Sequence, residues 1–449
     1  MKHGPSIPPE RSGIRFLWNV RRDPLGYFTS LANSTGAYAW IGLRGQPVLM
    51  LNDAKGIEHV LEENPTNYWK GDVNKVLAPL LADGIFLSEG AQWKRQRQET
   101  APGFTTPRLA EMGEIMAQTI RDMLDDWAMR SRAGEPIDLC AEMTRLTLDV
   151  FLRSLFHVEA GEVARDLRQS LGILLREAES RIWSPFSLPQ KWVLALPKYR
   201  RAMRLMHDTV ARLIDQRRQD RTHPDDLLSR LIDSYANTAS DQHMLRQQIL
   251  SFMLSGHETT AHGLTWSLLH LAQNIDFQEK LSTEAARHIG AGDVLFDQIR
   301  SLTASQNLFN EALRLYPPVW TFSREALAAD RIPLDDGGFV DLPARGIAML
   351  CTYAVHRRAR YWPDPDRFDP DRFLPEISAS RPRNAWFPFG GGPRLCLGQR
   401  FATMESTLAL SMITQRFEIA LVPGQDIRPE PIITLRPNGP VWITARELG

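Results

Sequence analysis

The chain has 449 residues, 43% of them hydrophobic, enough to bury a large core and, by length alone, to fill about three domains. Lys plus Arg (53) balance Asp plus Glu (53), which excludes an acidic tail and a nucleic-acid binder that works by net charge. Three cysteines, Cys140, Cys351 and Cys396, have no framework spacing and read as reduced thiols of a cytosolic protein, and the opening MKHGPSIPPERSG holds no apolar run resembling a signal peptide or membrane anchor.

In chain order, a Pro-rich lead-in from Pro5 gives way to an amphipathic segment around Asp23 to Thr35. Tyr38 to Leu43 and Pro47 to Leu51, joined through Arg44-Gly45, read as a β-hairpin. Asp53 caps a helix running to Glu62, with Ile57, Val60 and Leu61 on one face. The irregular stretch from Lys70 to Glu89 is long for a loop inside a compact domain, a sign of function. Trp93 and Arg97 then share a helical face, and alone this pair is more often just an exposed basic helix. Apolar spacing of three and four predicts helices from Leu109 to Arg130, Leu139 to Phe156, Ala160 to Glu179 and Lys198 to Arg221. The apolar, Pro-rich stretch Ile182 to Pro197 between the last two fits core packing, a greasy entrance for a lipophilic substrate, or transient contact with a membrane surface.

A long helical pattern from Asp241 to about Gln273 carries Ser255-Gly256-His257-Glu258-Thr259-Thr260 in its middle, a set unfavourable for plain helix packing. Glu311 and Arg314 lie one turn apart in a helix that Pro317-Pro318 ends, a pattern of little meaning by itself. Val319 to Arg324 is an extended run, and β-structure continues from Arg331 to Leu350 around the Asp336-Gly337-Gly338 turn. His356 to Phe373 reads as an irregular approach containing Pro370-Asp371-Arg372-Phe373. Ile432 to Leu435 and Val441 to Thr444 read as a last hairpin.

The stretch Trp386 to Glu405, WFPFGGGPRLCLGQRFATME, sets Cys396 in a glycine-rich turn that opens into an amphipathic helix, roughly Leu397 to Phe417. Gly390, Gly391 and Gly392 let the backbone approach a bulky planar ligand, and Pro393 stiffens the exit. Cys396 sits where backbone N–H groups and the positive helix end favour a thiolate, a sulfur able to bind iron. A phosphate loop would end in Gly-Lys-Ser/Thr, which is absent, and a catalytic cysteine would need a specified His partner.

The spacing Phe389-x-x-Gly392-x-Arg394-x-Cys396-x-Gly398 resembles the haem-binding signature of the cytochrome P-450 superfamily, the haem-thiolate monooxygenases, and four motifs in the family's order extend the resemblance over nearly the whole chain. It implies a mainly α fold with a small β region (α+β), a single triangular domain over 1–449. The β-rich part is expected near 36–52, 319–350 and 430–446, the helical part near 90–318 and 397–417, with haem between a long central helix and the helix after the cysteine loop. The implied cofactor is haem b (iron protoporphyrin IX), with Cys396 as the axial thiolate on iron. Trp93, Arg97, Arg324 and Arg394 are then expected on its propionates, and Phe389, Gly390, Gly398 and Ala402 against the ring. Glu258 and Thr259 match the family's acid–alcohol pair, which supplies protons for O2 activation. Ser255 stands where alanine is more common, and His257, at a variable position, is read as structural. Glu311, Arg314 and Arg372 match a structural network that fixes the segment leading to the cysteine. Phe252, Ser255, Val319, Trp320, Thr321, Ile432 and Ile433 are expected to line the substrate pocket, under a roof made by the Lys70 to Glu89 loop.

The function so implied is insertion of one O2 oxygen atom into a C–H bond of a lipophilic small molecule such as a terpenoid, a fatty acid or another secondary metabolite. With no FMN, FAD or iron–sulfur signature in the sequence, electrons ultimately from NAD(P)H are expected through a separate ferredoxin or flavodoxin and its reductase. Lys94, Arg95, Arg145, Arg357, Arg358, Arg360 and Arg400 are the expected docking cations. A cytoplasmic monomer without nucleic-acid partner or stable membrane anchor completes the expectation. The alternatives are a peroxide-dependent peroxygenase or isomerase, against which Glu258 and Thr259 argue, and a haem sensor, which normally carries an output domain.

Overall fold

Local chemistry fixes many of the element boundaries. The computed structural model describes residues 13–43, 46–71, 78–81, 84–159, 161–182, 196–222, 224–235, 238–289 and 296–448. The Arg44-Gly45 turn, residues 72–77 and 82–83 of the expected roof and residues 183–195 of the expected entrance lie outside these. Asp23 accepts the Gly26 N–H at 2.9 Å ahead of Pro24, which starts the helix Pro24–Thr35, and a further helix, Gly13–Arg22, precedes it. Asp53 accepts the Gly56 N–H at 3.0 Å and starts Ala54–Glu58, which passes directly into a π-turn, His59–Glu63. Contacts divide the chain into two units, each drawn from three separate stretches.

The first unit comprises Met1–Asn74, Asn310–Gln399 and Pro429–Arg436. Its five-stranded sheet has the order Tyr38–Leu43, Gln46–Leu51, Ile347–Leu350, Phe322–Ala326, Tyr68–Trp69. The expected hairpin pairs Ile41 with Val48, and Val48 in turn pairs in parallel with Ile347, far along the sequence. Leu49, Leu51, Ile57, Leu61, Leu350, Trp362 and Phe387 form one buried cluster beneath it. Two short ladders complete the unit: Asp330–Pro333 with Phe339–Leu342, around the predicted glycine turn, and Pro429–Pro431 with Leu435–Pro437.

The second unit, Lys75–Phe309, Arg400–Arg428 and Pro437–Gly449, is mostly helical. The predicted helices are present as Thr106–Ala133, Leu139–Phe156, Gly161–Ile182 and Pro197–Gln219. Trp127 is fully buried and meets Phe417 edge-on at 6.1 Å. The last hairpin predicted from sequence does not form. Trp442–Glu447 lies instead between Ile137–Asp138 and Phe417–Leu421, because Ile443 and Ala445 alternate inward beside Ile419, and period-two alternation names a buried face but not the partner strand. The single long helix expected from Asp241 is also two, Ala239–Gly256 and Glu258–Ala272. Among the described residues no helix is long and apolar enough to cross a membrane.

Candidate functional site

The cysteine loop rests on the π-turn. A Cβ on Gly391 would stand 3.1 Å from Glu62 Oε1 and 3.3 Å from Leu61 Cδ1, and one on Gly392 would fall inside the Leu61 carbonyl. Gly392 also has φ +62, the left-handed region, so two independent constraints require glycine there. Three backbone bonds of 3.0 Å wind the loop: Gly390 N–H to Phe387 O, Leu395 N–H to Gly392 O, and Cys396 N–H to Phe389 O. The helix Gln399–Arg416 begins three residues beyond the cysteine. Burial pushes the Cys351 thiol up to about 12 and keeps it protonated, and Cys140 is half-buried, whereas Cys396 is exposed. Beside it, a Cβ on Gly398 would meet nothing within 4 Å, nor would one on Gly390. Protein packing therefore gives no reason for glycine at 398, and the bare face left there suits a flat ligand.

The approach to this loop is held by a buried ion network. Arg314 grips Glu311 through two bonds, Nε to Oε2 at 2.7 Å and Nη2 to Oε1 at 2.8 Å, with both side chains fully buried. Its remaining donors take the carbonyls of His356 (3.0 Å), Pro365 (2.6 Å) and Arg367 (3.1 Å). Glu311 also accepts the Asp369 N–H at 2.8 Å and pairs with Arg372 Nε at 3.5 Å, while Arg372 donates to Pro363 O and Asp364 O. The three residues predicted to act together are thus assembled. Sequence reasoning missed two further members, Trp362, whose ring lies 5.1 Å from Arg314, and Arg381, 3.7 Å over the same ring, whose guanidinium burial pulls down to about 10. Burial pushes the Glu311 carboxyl up, and Arg314, the Asp369 N–H and Arg372 oppose that shift. Glu311→Gln keeps the shape and removes the charge opposite two buried cations. Urea unfolding is expected to show a loss of about 3 to 5 kcal/mol, and a loss below about 1 kcal/mol would mean that the carbonyls alone satisfy Arg314.

In the strand Phe322–Ala326, Arg324 is buried, donates to Ser323 O at 2.9 Å and lies over the Phe322 ring at 5.0 Å. Arg394 ends the short turn Gly392–Arg394 and is half-buried. Trp320, expected as a substrate wall, is 2% exposed and gives its indole N–H to Ile432 O at 2.9 Å, so it positions the Ile432-Ile433 turn. Ile432, Ile433 and Thr321 are half-buried and Val319 is exposed, which leaves these side chains open to a ligand.

In the second unit, Trp93 and Arg97 are half-buried on the helix Gly90–Thr100, one turn apart as predicted. Ala402 is half-buried on Gln399–Arg416. Phe252 is buried in a stack with Phe104 (centroids 6.4 Å), which meets Phe401 edge-on at 6.5 Å. The helix break at His257 (φ −114, ψ −42) carries the acid and the alcohol. Side chains bond helix carbonyls around this break: His257 Nδ1 bonds Met253 O at 2.7 Å, Ser255 Oγ donates to Ser251 O at 2.6 Å, and Thr259 Oγ1 donates to Ser255 O at 3.2 Å. Phe151 sits so close that a Cβ on Gly256 would be 2.7 Å from its ring. Glu258 is half-buried, with His262 Nε2 3.5 Å from Oε1 one turn on.

Two of the expected docking cations are misassigned. Arg357 and Arg358 are buried; Arg357 stacks 3.7 Å over Tyr353, and Arg358 donates to Gly36 O and Asn52 O. Burial pulls both guanidinium groups down, and neither is presented to a partner. Lys94, Arg95, Arg360 and Arg400 are exposed, and Arg145 is half-buried beside Asp126 and Glu142.

Comparison with known proteins places these features in a family. The cytochrome P-450 family model matches residues 8–443. Cyclooctatin synthase of Streptomyces melanosporofaciens is 32% identical over 423 residues, covering 93% of this chain and 90% of the relative. Pentalenene oxygenase of Streptomyces avermitilis is 29% identical over 427 residues, 94% of this chain and 92% of the relative. Cytokinin hydroxylase of Arabidopsis thaliana is 30% identical over 423 residues, 90% and 79% respectively. A match of this extent, over a mainly helical fold with small sheets and a cysteine held in a glycine-rich loop, establishes that the chain belongs to the cytochrome P-450 family of haem-dependent, O2-using monooxygenases.

Proposed function

We propose that this protein hydroxylates a terpenoid or similarly lipophilic small molecule, with electrons delivered from NAD(P)H by a separate ferredoxin or flavodoxin and its reductase. The observation that carries the reading is Cys396: an exposed sulfur on a loop pinned by three backbone bonds, next to a glycine face with nothing within 4 Å. Those features fit haem. Cys396 would bind the iron, Gly390, Gly398, Phe389 and Ala402 would lie along the ring, and Trp93, Arg97, Arg324 and Arg394 would meet its carboxylates, for which an arginine fork is suited. Bound through this thiolate, haem supplies O2 activation strong enough for an unactivated C–H bond.

The chain's own residues do the rest. Glu258 holds a proton at its carboxyl, and Thr259, its hydroxyl kept in place by Ser255 O, passes it toward the oxygen being reduced. Val319, Ile432 and Ile433 of the first unit would supply an apolar lining that orients the substrate and keeps water away. The terpenoid class is supported by the names of two relatives, cyclooctatin synthase and pentalenene oxygenase. We read the chain as one catalytic domain working as a cytoplasmic monomer, its redox partner docking on Lys94, Arg95, Arg145, Arg360 and Arg400.

A ligand panel on the purified, haem-loaded protein tests the reading. Cyclic terpenoids are expected to shift the Soret band and, with NAD(P)H, ferredoxin and reductase, to give a product labelled from ¹⁸O₂. Shifts from fatty acids alone, or turnover with hydrogen peroxide and none with O2 and reductant, would overturn it.

A further inference from the structure

His356 lies in the irregular approach between the ion network and the cysteine loop, and it touches both. It is fully buried. Its Nε2 lies 3.0 Å from the Phe387 backbone nitrogen, and its Nδ1 lies 3.3 Å from the Arg314 carbonyl. Arg314 returns the contact by donating from Nη1 to the His356 carbonyl at 3.0 Å. The ring also stands edge-on to Phe387 at 5.4 Å and tilted to Trp362 at 6.4 Å.

These partners leave one assignment of the ring proton. An amide N–H only donates, so Nε2 must be the bare, accepting nitrogen, and a carbonyl only accepts, so Nδ1 must carry the hydrogen. An imidazolium would set Nε2–H against the Phe387 N–H. Burial, with Arg314 and Arg357 close by, holds the ring well below its usual pKa and so in the neutral form this arrangement needs. Beyond Phe387 the same line of bonds continues, since its carbonyl accepts the Gly390 N–H and the Phe389 carbonyl accepts the Cys396 N–H.

We propose that His356 is a positioning residue for the thiolate: a donor-and-acceptor side chain that carries the register set by Glu311 and Arg314 onto the backbone of the loop that presents Cys396. This rests on the reading of Cys396 as the haem ligand. Salt-bridge residues hold the approach segment, but the bonds of Arg314 to the carbonyls of 356, 365 and 367, of Arg372 to those of 363 and 364, and of Glu311 to the Asp369 N–H all end well before the loop. His356 spans that gap with one ring.

The test compares His356→Leu, which can make neither bond, with His356→Gln, whose amide can both donate and accept. In haem-loaded protein, the leucine variant is expected to lose the thiolate-type ferrous–CO band about tenfold faster than wild type on mild heating, the order expected when buried polar partners lose their bonds. Glutamine is expected to restore most of the difference. Amide hydrogen exchange should rise between Phe387 and Cys396 in the leucine variant only. Equal band lifetimes and exchange in all three proteins would overturn the inference. So would an Nε2–H tautomer for His356, read from ring ¹⁵N shifts of the diamagnetic ferrous–CO wild type, a measurement that needs no variant to fold. Absence of a thiolate-type band in wild type would instead overturn the assignment of Cys396.

Discussion

Cys396→Ser is expected to yield a folded protein that has lost its thiolate-type ferrous–CO band and at least about a hundredfold of its monooxygenase turnover. Two bonds at position 396 run from backbone to backbone and do not depend on the side chain: the Cys396 N–H to Phe389 O and the Gln399 N–H to the Cys396 carbonyl. The side chain is exposed, so the change to oxygen should alter urea stability by no more than about 0.5 kcal/mol. A serine hydroxyl stays protonated near neutral pH and gives iron a far poorer donor than a thiolate. Folding and ligation are therefore separable at this position. Retained turnover with an unchanged CO spectrum would refute Cys396 as the ligand, whereas a large stability loss would refute the backbone account of the loop.

Gly392→Ala is expected to fail in the opposite way, by damaging the fold and ligation together. The new methyl group would be driven into the Leu61 carbonyl, with that carbon only 2.8 Å away and Glu62 Cα at 3.3 Å, so one backbone segment must move. Positive φ adds roughly 1 to 2 kcal/mol for any residue with a Cβ. We expect at least about 3 kcal/mol lost in urea unfolding, together with lower haem content. Gly398→Ala is the control, since among the described residues its methyl meets no atom within 4 Å beyond its own chain neighbours. It should leave haem-free stability unchanged and weaken only haem retention. If the two alanine variants behave alike, the glycines serve chain flexibility alone, and the π-turn is not the floor of the loop.

The parts of this protein that are legible in its sequence are those whose chemistry is confined to a few neighbouring residues. Cys396 with its glycines declares itself within ten residues, Glu311 with Arg314 and Trp93 with Arg97 are one-turn pairs that gain meaning from their order relative to it, and the structure keeps those local arrangements. Arg372 could be added because its motif travels with the others, and it does reach Glu311. What escaped depends on contacts between distant positions. Arg357 and Arg358 read as exposed docking cations and His356 as part of an irregular approach, yet all three are buried, and what decides their fates lies at Arg314, Tyr353 and Asn52. Trp320 reads as a pocket wall, and nothing near it in the sequence signals that its indole N–H is donated to the Ile432 carbonyl. The C-terminal strand was correct in its alternation and wrong in its partner for the same reason. His257 was legible as structural, but not the means, a ring nitrogen bonded to the Met253 carbonyl.

The floor of the cysteine loop has a consequence for biosynthesis. Leu61 and Glu62 emerge from the ribosome roughly 330 residues ahead of Gly391 and Gly392, and the strand that joins their sheet, Ile347–Leu350, is almost as late. At about 5 to 20 residues per second, tens of seconds separate the synthesis of the two halves of this contact. If Cys396 holds haem as proposed, capture has to wait until both halves of this contact have been made, and haem supply then bears on chains synthesised past Gly392.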